Sequence, residues 1–229
     1  MIGAFELPAT FPVLLSGNKT IKVYPGIKSG GSVSLRIEYP FYKYYSIDST
    51  LIPNKITTLS PTVSYWEDTK FAWIEDFEDP SISLDTSLGD VTINRTQDKS
   101  LVFEGTTSGK ISLTKQKPKF IGISTDNFTL DRNTGKKFME MNYNTETTLG
   151  VILMSYNSSG VIAETPIVFL FSTNKTGKSE WNKIYIDVTD ALEQTFIGEY
   201  YKIKLTADIT SSELNEATIL LDNIKLLHF

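Results

Sequence analysis

The alternation of apolar and polar side chains predicts that two segments, Phe71–Asp79 and Ile219–Leu226, form strands. Successive side chains of a strand point to opposite faces, so alternate residues share a face. In the second segment Asp222 shares a face with three large apolar residues, and the first segment becomes acidic toward its end. We interpret the two segments as the first and last strands of one β-sandwich.

Between these segments the chain has many short strand-like runs separated by clusters of Gly, Asn, Asp and Ser. The further strand candidates are 101–104, 110–114, 119–123, 136–143, 148–156, 166–172, 180–188, 200–207 and 217–226. One helical turn is predicted over Thr189–Thr195, with Asp190 as its N-cap. Many short strands with almost no helical periodicity predict an all-β fold, with a sandwich over residues 69–229.

In this interpretation residues 1–68 form a small β-domain of their own. Short apolar runs alternate there with turn residues, and residues 64–70 make a polar junction. The charge changes at the same place, because residues 1–70 hold 7 basic and 5 acidic side chains while residues 71–229 hold 15 and 22. Pattern and charge therefore predict the same domain boundary.

Composition argues against several classes of function. The net charge of −5 argues against a nucleic-acid partner, which would favour a basic surface. The chain has no cysteine, which excludes disulfides and thiolate metal sites, and His228 is its one histidine. Multi-histidine zinc sites and, unless His228 serves it, a Ser-His-Asp mechanism are therefore excluded. Glu140, Glu146 and Glu164 show no pattern of a glycosidase pair, so we predict no catalytic residue and no enzyme.

The acidic residues of the two organising segments form the best candidate metal site. If the strands are neighbours, Asp76 or Glu78 meets Asp222, and carboxylates that share a site need a cation or protons. Calcium prefers oxygen ligands, which this chain supplies. The alternative is that Asp222 accepts backbone N–H bonds while the earlier acids are solvated.

Three short motifs resemble those of jelly-roll carbohydrate-binding and galactose-binding-like domains. They are Phe77-Glu78-Asp79, Ser108–Leu113 and Leu221–Leu226, in that order along the chain. The resemblance covers residues 71–229 and implies a jelly-roll sandwich there. Pro80 departs from the pattern, since many relatives have Gly at this point.

The same resemblance implies a structural calcium ion. An early Glu and the Asp of the last strand often hold it in that superfamily, and here they would be Glu78 and Asp222. Main-chain oxygens of Ser108 and Lys110 would add to its coordination. With Asp76 from the strand pattern, these residues are the predicted metal ligands.

Four N-terminal segments resemble surface lipoproteins of Bacteroidetes-type bacteria. The segments are Gly3–Ala9, Pro12–Leu14, Tyr24–Lys28 and Tyr39–Phe41. Those lipoproteins pair a small immunoglobulin-like β-domain with a C-terminal jelly roll. The resemblance implies that residues 1–68 are such a domain, truncated at its start. It also implies an exported parent protein, at the outer membrane or cell surface, with a lipid anchor on a cysteine that this chain lacks.

Three aromatic residues, Tyr143, Tyr156 and Trp181, are candidates for a glycan platform, because aromatic rings stack on the apolar faces of sugars. The alternative is that they pack in the core, as Trp181 would if it belongs to the apolar run that follows it. We hypothesise a non-catalytic cell-surface protein that binds polysaccharide through its jelly roll. The competing hypothesis is a structural or interaction subunit of an outer-membrane protein assembly.

Overall fold

The computed structural model describes residues 2–32, 35–175, 178–195 and 198–229, which form 17 strands and one helix. The strands are β1 (Gly17–Val23), β2 (Gly26–Lys28), β3 (Arg36–Glu38), β4 (Tyr45–Leu51), β5 (Lys70–Glu75), β6 (Leu84–Asp85), β7 (Asn94–Thr96), β8 (Ser108–Thr114), β9 (Lys119–Ser124), β10 (Phe138–Thr145), β11 (Leu149–Asn157), β12 (Gly160–Leu170), β13 (Asn174–Lys175), β14 (Lys178–Ser179), β15 (Asn182–Asp187), β16 (Tyr200–Asp208) and β17 (Glu216–His228), and the helix is α1 (Thr189–Gln194). No helix among these described residues is long and apolar enough to cross a membrane.

The chain divides into two compact units. The smaller unit contains residues 1–26 and 38–67, and the larger contains residues 27–37 and 68–229. The sequence pattern placed residues 27–37 in the N-terminal domain and did not foresee this interleaving. The domain boundary at residue 68 and the immunoglobulin-like character of the N-terminal part stay predictions.

In the smaller unit β1 and β4 form an antiparallel pair, in register from Gly17 opposite Leu51 to Val23 opposite Tyr45. The smaller unit also contains an aromatic cluster. Two of its members, Tyr39 and Phe41, are buried, and their ring centroids are 5.5 Å apart. Large side chains supply a core that a small unit otherwise lacks.

The larger unit is a sandwich of two antiparallel sheets. Sheet I has six strands, in the order β15-β10-β17-β8-β7 with β5 also paired to β17, and sheet II has five, in the order β12-β11-β16-β9-β6. The chain repeatedly crosses from one sheet to the other, and apolar residues of both sheets form one buried cluster between them. Met141 and Ile224 of sheet I and Leu153 and Ile203 of sheet II belong to it. The predicted all-β fold with a jelly-roll sandwich is confirmed.

The predicted pairing of the first and last strands is also confirmed. Strands β5 and β17 are antiparallel neighbours, with Glu75 opposite Ile224 and Trp73 opposite Leu226. Strand β17 additionally pairs with β8 and β10. The last strand thus lies in the middle of sheet I, which explains why eight of its thirteen residues are buried and four more are partly buried.

Two local predictions are wrong. Residues 101–104 form a loop, because the N–H groups of Phe103 and Glu104 donate to the side chains of Ser108 and Asp222 instead of joining a ladder. Helix α1 exists, but Asp190 lies in its first turn and does not cap it.

Candidate functional site

The outer faces of the two sheets differ in exposure. On sheet I, the outward side chains of β10 are all buried, and so are three of those on β17, whose Thr218 and Lys225 are partly exposed. The buried outward residues are Phe138, Glu140, Asn142, Asn144, Leu220, Asp222 and Leu227. On sheet II, most outward side chains of β11 and β16 are partly exposed: Ile152, Tyr156, Tyr200, Lys202, Lys204 and Thr206. The sandwich therefore offers side chains for contact with a ligand on the outer face of sheet II.

Tyr156 and Tyr200 form the principal aromatic feature of this face. They are cross-strand partners of β11 and β16, and their rings stack with centroids 4.9 Å apart and planes inclined by 9°. The Tyr156 hydroxyl lies 3.7 Å from the sulfur of Met154, two residues before it on the same face. Burial above all, helped by Tyr200 and Glu164, raises the pKa of Tyr156, so its hydroxyl stays protonated at neutral pH.

Charged side chains border the ring pair. Lys204 donates to Glu164 of β12 at 2.8 Å, and Glu164 lies opposite Met154 across the β11–β12 ladder. We call Tyr156, Tyr200, Met154, Glu164 and Lys204 the tyrosine patch. It combines aromatic surface with hydroxyl, ammonium and carboxylate groups, which is the mixture that a ligand with apolar faces and many hydroxyls requires.

The other two predicted aromatic residues lie elsewhere. Tyr143 is on β10 of sheet I and packs against the core cluster, where burial raises the pKa of its phenol. Trp181 immediately precedes β15, and its half-buried ring is 5.3 Å from that of the more exposed Phe103. The structure thus does not bring the three candidates together, and their ligand-binding roles stay predictions.

The sequence interpretation did not single out Tyr200. A usable signal was present, because Tyr200, Lys202 and Lys204 alternate with Tyr201, Ile203 and Leu205 along one strand. Their pairing with Tyr156 depends on which strands are neighbours, and local alternation does not carry that information.

Asp222 is buried on the outer face of sheet I and accepts three hydrogen bonds. The Ser108 hydroxyl donates to Oδ2 at 2.6 Å and the N–H of Glu104 at 3.4 Å, while the N–H of Asn223 donates to Oδ1 at 2.7 Å. Burial raises the pKa of Asp222 to about 6, although these hydrogen bonds work in the opposite direction. Asp222 therefore has the contacts expected from the alternative to the calcium hypothesis, in which it accepts backbone N–H bonds.

Glu78 accepts hydrogen bonds from the same loop. The N–H groups of Thr106 and Thr107 donate to its Oε1 at 2.8 and 3.0 Å, and the Thr106 hydroxyl donates to Oε2 at 2.5 Å. These bonds, those of Thr106 first, lower the pKa of Glu78 to about 2. Asp76 is exposed and accepts the N–H of Glu78 at 3.1 Å.

The fully enclosed carboxylate of the first strand is Glu75, which the sequence interpretation did not select. It accepts hydrogen bonds from the N–H of Phe77 at 2.9 Å and from the N–H and hydroxyl of Ser83 at 2.5 and 2.6 Å. Its place on the same face as Trp73 and Phe77 was visible in the alternation. Glu75 therefore fixes the turn that follows β5.

The residues named for calcium do not fit that ion in this arrangement. Calcium takes six to eight oxygen ligands at about 2.3–2.6 Å, with lone pairs free to face it. Here N–H and O–H donors point at the carboxylate oxygens of Asp222 and Glu78. Ser108 contacts Asp222 through its hydroxyl, and Lys110 is paired in the ladder on both sides. Within the described ranges no three Asp, Glu, His or Cys residues form a group suited to a metal.

No protein-family model matches the chain, and no curated protein matches it. Several solved carbohydrate-binding modules resemble it in structure. A family 29 point mutant complexed with mannohexaose has a TM-score of 0.44 and 8% identity, covering 69% of this chain and 92% of that one. Another mutant of this module, complexed with cellulohexaose, has a TM-score of 0.43 and 9% identity, covering 69% and 91%.

A family 61 module in complex with β-1,4-galactotriose has a TM-score of 0.37 and 14% identity, covering 62% of this chain and 85% of that one. The bound oligosaccharides are properties of those modules. At these TM-scores the likeness carries no argument about what this chain binds.

Proposed function

We propose that this protein is a non-catalytic glycan-binding protein that takes its ligand on the outer face of sheet II, at the tyrosine patch. The observation that carries the proposal is the stacked pair of Tyr156 and Tyr200 on a face whose side chains are open to solvent. A pyranose ring has apolar C–H faces and a rim of hydroxyls. Aromatic rings beside hydrogen-bonding groups match both.

The geometry of the ring pair defines how a sugar would bind. Because the two rings lie parallel at 4.9 Å, each has one face directed at the other and one directed away. A sugar can therefore stack on an outer ring face or cover the ring edges. The Glu164 carboxylate and the Tyr hydroxyls then serve as hydrogen-bonding partners for its hydroxyls.

Display at the cell surface belongs to the same proposal and rests on the lipoprotein resemblance of the N-terminal segments. In this view a lipid-anchored parent protein holds the sandwich outside the cell, where polysaccharides are the available partners.

Affinity electrophoresis against a panel of soluble polysaccharides tests the proposal. We expect at least one polymer to retard the wild type, and we expect Tyr156→Ala and Tyr200→Ala each to weaken its binding by about 10-fold, the equivalent of one lost stacking contact. Trp181→Ala is the matched control, because Trp181 lies outside the patch. Failure of every polymer to retard the wild type would refute the function, and loss of retention in the Trp181 variant alone would refute the site.

A second candidate function is an interaction subunit of an outer-membrane assembly, and the edge strand β12 favours it. Val161 and Phe169 on this strand and Phe171 just after it are exposed large apolar residues. Exposed apolar edges are surfaces on which other chains add. Co-purification of a membrane partner that Phe171→Asp abolishes, with Tyr156→Ala as control, would support it.

A further inference from the structure

Arg95 of β7 is directed at the end of the first sandwich strand. Its Nε donates to the carbonyl oxygen of Phe77 at 2.7 Å, and its Nη2 donates to the carbonyl oxygen of Glu78 at 2.9 Å. The Thr107 hydroxyl donates to the same Phe77 oxygen. Phe77 has a φ of +61° and a fully buried ring, so its carbonyl is held in a fixed direction. A planar guanidinium suits this task because its donors form a rigid fork.

The loop over residues 104–108 donates hydrogen bonds to two carboxylates at once. At its ends the Glu104 N–H and the Ser108 hydroxyl point to Asp222, and in its middle Thr106 and Thr107 point to Glu78. The loop therefore joins the last strand to the turn after the first one, with protein hydrogens on every contact.

Gly105 makes this arrangement possible. Its φ is +68°, and an added Cβ would collide with the Glu78 carboxylate. The carboxylate thus packs directly against the loop backbone. No metal ion would therefore fit between the Glu78 carboxylate and the backbone of this loop.

We infer that Arg95 takes the place of a metal ion at this junction, so that the sandwich is closed by a guanidinium and folds independently of calcium. The positive charge that the two carbonyls and the Glu78 carboxylate attract is already supplied by the chain. The resemblance to calcium-bearing jelly rolls therefore extends to the strands and to Glu78 and Asp222, and it stops at the ion.

Thermal unfolding of the full chain, with elemental analysis of the purified protein, tests this inference. We expect well under one equivalent of calcium per chain, and a Tm that neither chelator nor added calcium chloride moves. Arg95→Ala should lower the Tm by about 5 °C or more, since it removes charge-assisted hydrogen bonds to two carbonyls. Lys99→Ala is the control, because Lys99 is exposed three residues beyond the end of β7 and its loss changes the net charge equally.

Three outcomes would overturn the inference. They are a wild-type Tm that falls with chelator, calcium retained in stoichiometric amount, and an Arg95→Ala Tm equal to that of Lys99→Ala. If Arg95→Ala does not fold, the two wild-type measurements still decide the question, and Arg95→Lys gives a milder variant that keeps the charge but loses the fork.

A second inference rests on the proposed function and concerns the class of glycan. The cationic side chains on the outer face of sheet II have anionic or carbonyl neighbours: Lys204 with Glu164 at 2.8 Å, Lys119 with Asp208 at 4.0 Å, and Lys202 with the Thr125 carbonyl at 2.8 Å. Lys202 also acts electrostatically on Asp85 of the same sheet. The face thus carries balanced charge, with Lys202 and Lys204 in short contacts and the more exposed Lys119 at a longer distance from its partner.

We infer that the tyrosine patch binds an uncharged glycan. An anionic polymer is attracted by a surplus of positive charge, and on this face each of these lysines already has an anionic or carbonyl neighbour. Neutral sugars need only the ring faces and hydrogen-bonding groups already described.

Affinity gels with neutral polymers (mannan, xylan, galactan) and anionic ones (polygalacturonate, alginate) distinguish the outcomes. We expect retention on a neutral polymer, unchanged by salt, and we expect Glu164→Gln to add salt-sensitive retention on an anionic one, whereas Glu180→Gln, outside the face, does not. Stronger retention on the anionic polymers by the wild type would overturn this inference and leave glycan binding in place. Retention on none would overturn both.

Discussion

The two faces of the sandwich each carry one Lys–Glu ion pair at the same distance, and the pairs differ in burial. On sheet I, Lys183 and Glu140 are 2.8 Å apart, and the Glu140 side chain is 0% exposed. On sheet II, Lys204 and Glu164 are also 2.8 Å apart, and the Glu164 side chain is 42% exposed. The same chemistry therefore serves structure on one face and remains accessible to a ligand on the other.

This difference extends to the surroundings of each pair. The outer face of sheet I contains further buried polar side chains, Asn142, Asn144 and Asp222, and Asp222 is held by three donors. Buried polar groups with satisfied hydrogen bonds fix one arrangement of the strands and leave nothing to offer a ligand. The outer face of sheet II instead leaves rings and hydroxyls partly exposed.

The largest effect is expected from removing the glutamate of each pair in turn. Glu140→Ala should reduce the free energy of unfolding by about 2–4 kcal/mol, because it leaves a cavity at a fully buried position, while Lys183 is 33% exposed and regains water. Glu164→Ala should change it by less than about 1 kcal/mol, since water replaces the lost partner. Urea unfolding of both variants measures the difference. Equal losses would mean that burial does not separate the two faces.

A smaller loss is expected from Gly105→Ala, which strikes the junction between the first and last strands of sheet I. The new Cβ would displace the exposed Glu78 carboxylate from its three donors and place a non-glycine residue at positive φ, so the loss should exceed that of a positive-φ glycine with open space around it. Gly160→Ala, at φ +111° with nothing near its Cβ, isolates the backbone term at about 1 kcal/mol. Similar unfolding midpoints for the two variants would contradict the tight packing inferred around Glu78.

The contribution of Asp222 to the free energy of unfolding depends on pH. Burial raises its pKa to about 6 in the folded chain, against about 3.9 unfolded, so the native state binds the proton more tightly. Its contribution to stability is therefore fully present below about pH 4 and is lost as the pH rises toward 6. Asp222→Asn should cost about 1–3 kcal/mol at the acid end and less at neutral pH. Urea unfolding of wild type and variant at pH 4.5 and 7 checks this, and a cost that grows with pH would reverse the sign we assign.

Much of the fold could be predicted from the sequence, because strand alternation is a local signal. The segments that became β5 and β17 were recognised as partners, and Asp222 was recognised as a carboxylate among apolar residues. The loop over 101–104 was mistaken for a strand. Its apolar residues suggested a ladder, whereas its N–H groups are used by Ser108 and Asp222, the latter more than a hundred positions away.

The candidate site was harder to predict, because it depends on which strands are adjacent. Tyr156 was selected and Tyr200 was not, although the two rings stack on each other. Arg95 was missed for the same reason, since the carbonyls that it contacts belong to Phe77 and Glu78 on a different segment. If Arg95 replaces the ion, as we infer, Glu78 and Asp222 are carboxylates of a calcium-type motif that the chain keeps without calcium.

The smallest stability effect is expected at the tyrosine patch itself. Tyr156→Ala and Tyr200→Ala should each cost about 1 kcal/mol or less, because both side chains lie on the open face and outside the core cluster. A double-mutant cycle on the free energy of unfolding should return a coupling of about 0.5–1 kcal/mol, the value of one stacked aromatic pair. A much larger coupling would mean that the two rings serve to stabilise the sandwich. Their position on the outer face would then give no reason to propose a ligand. A small coupling, together with a loss of glycan retention in the same variants, would mean that sheet II keeps these rings partly exposed for contact with a partner, which is a role that the buried outward side chains of β10 do not permit.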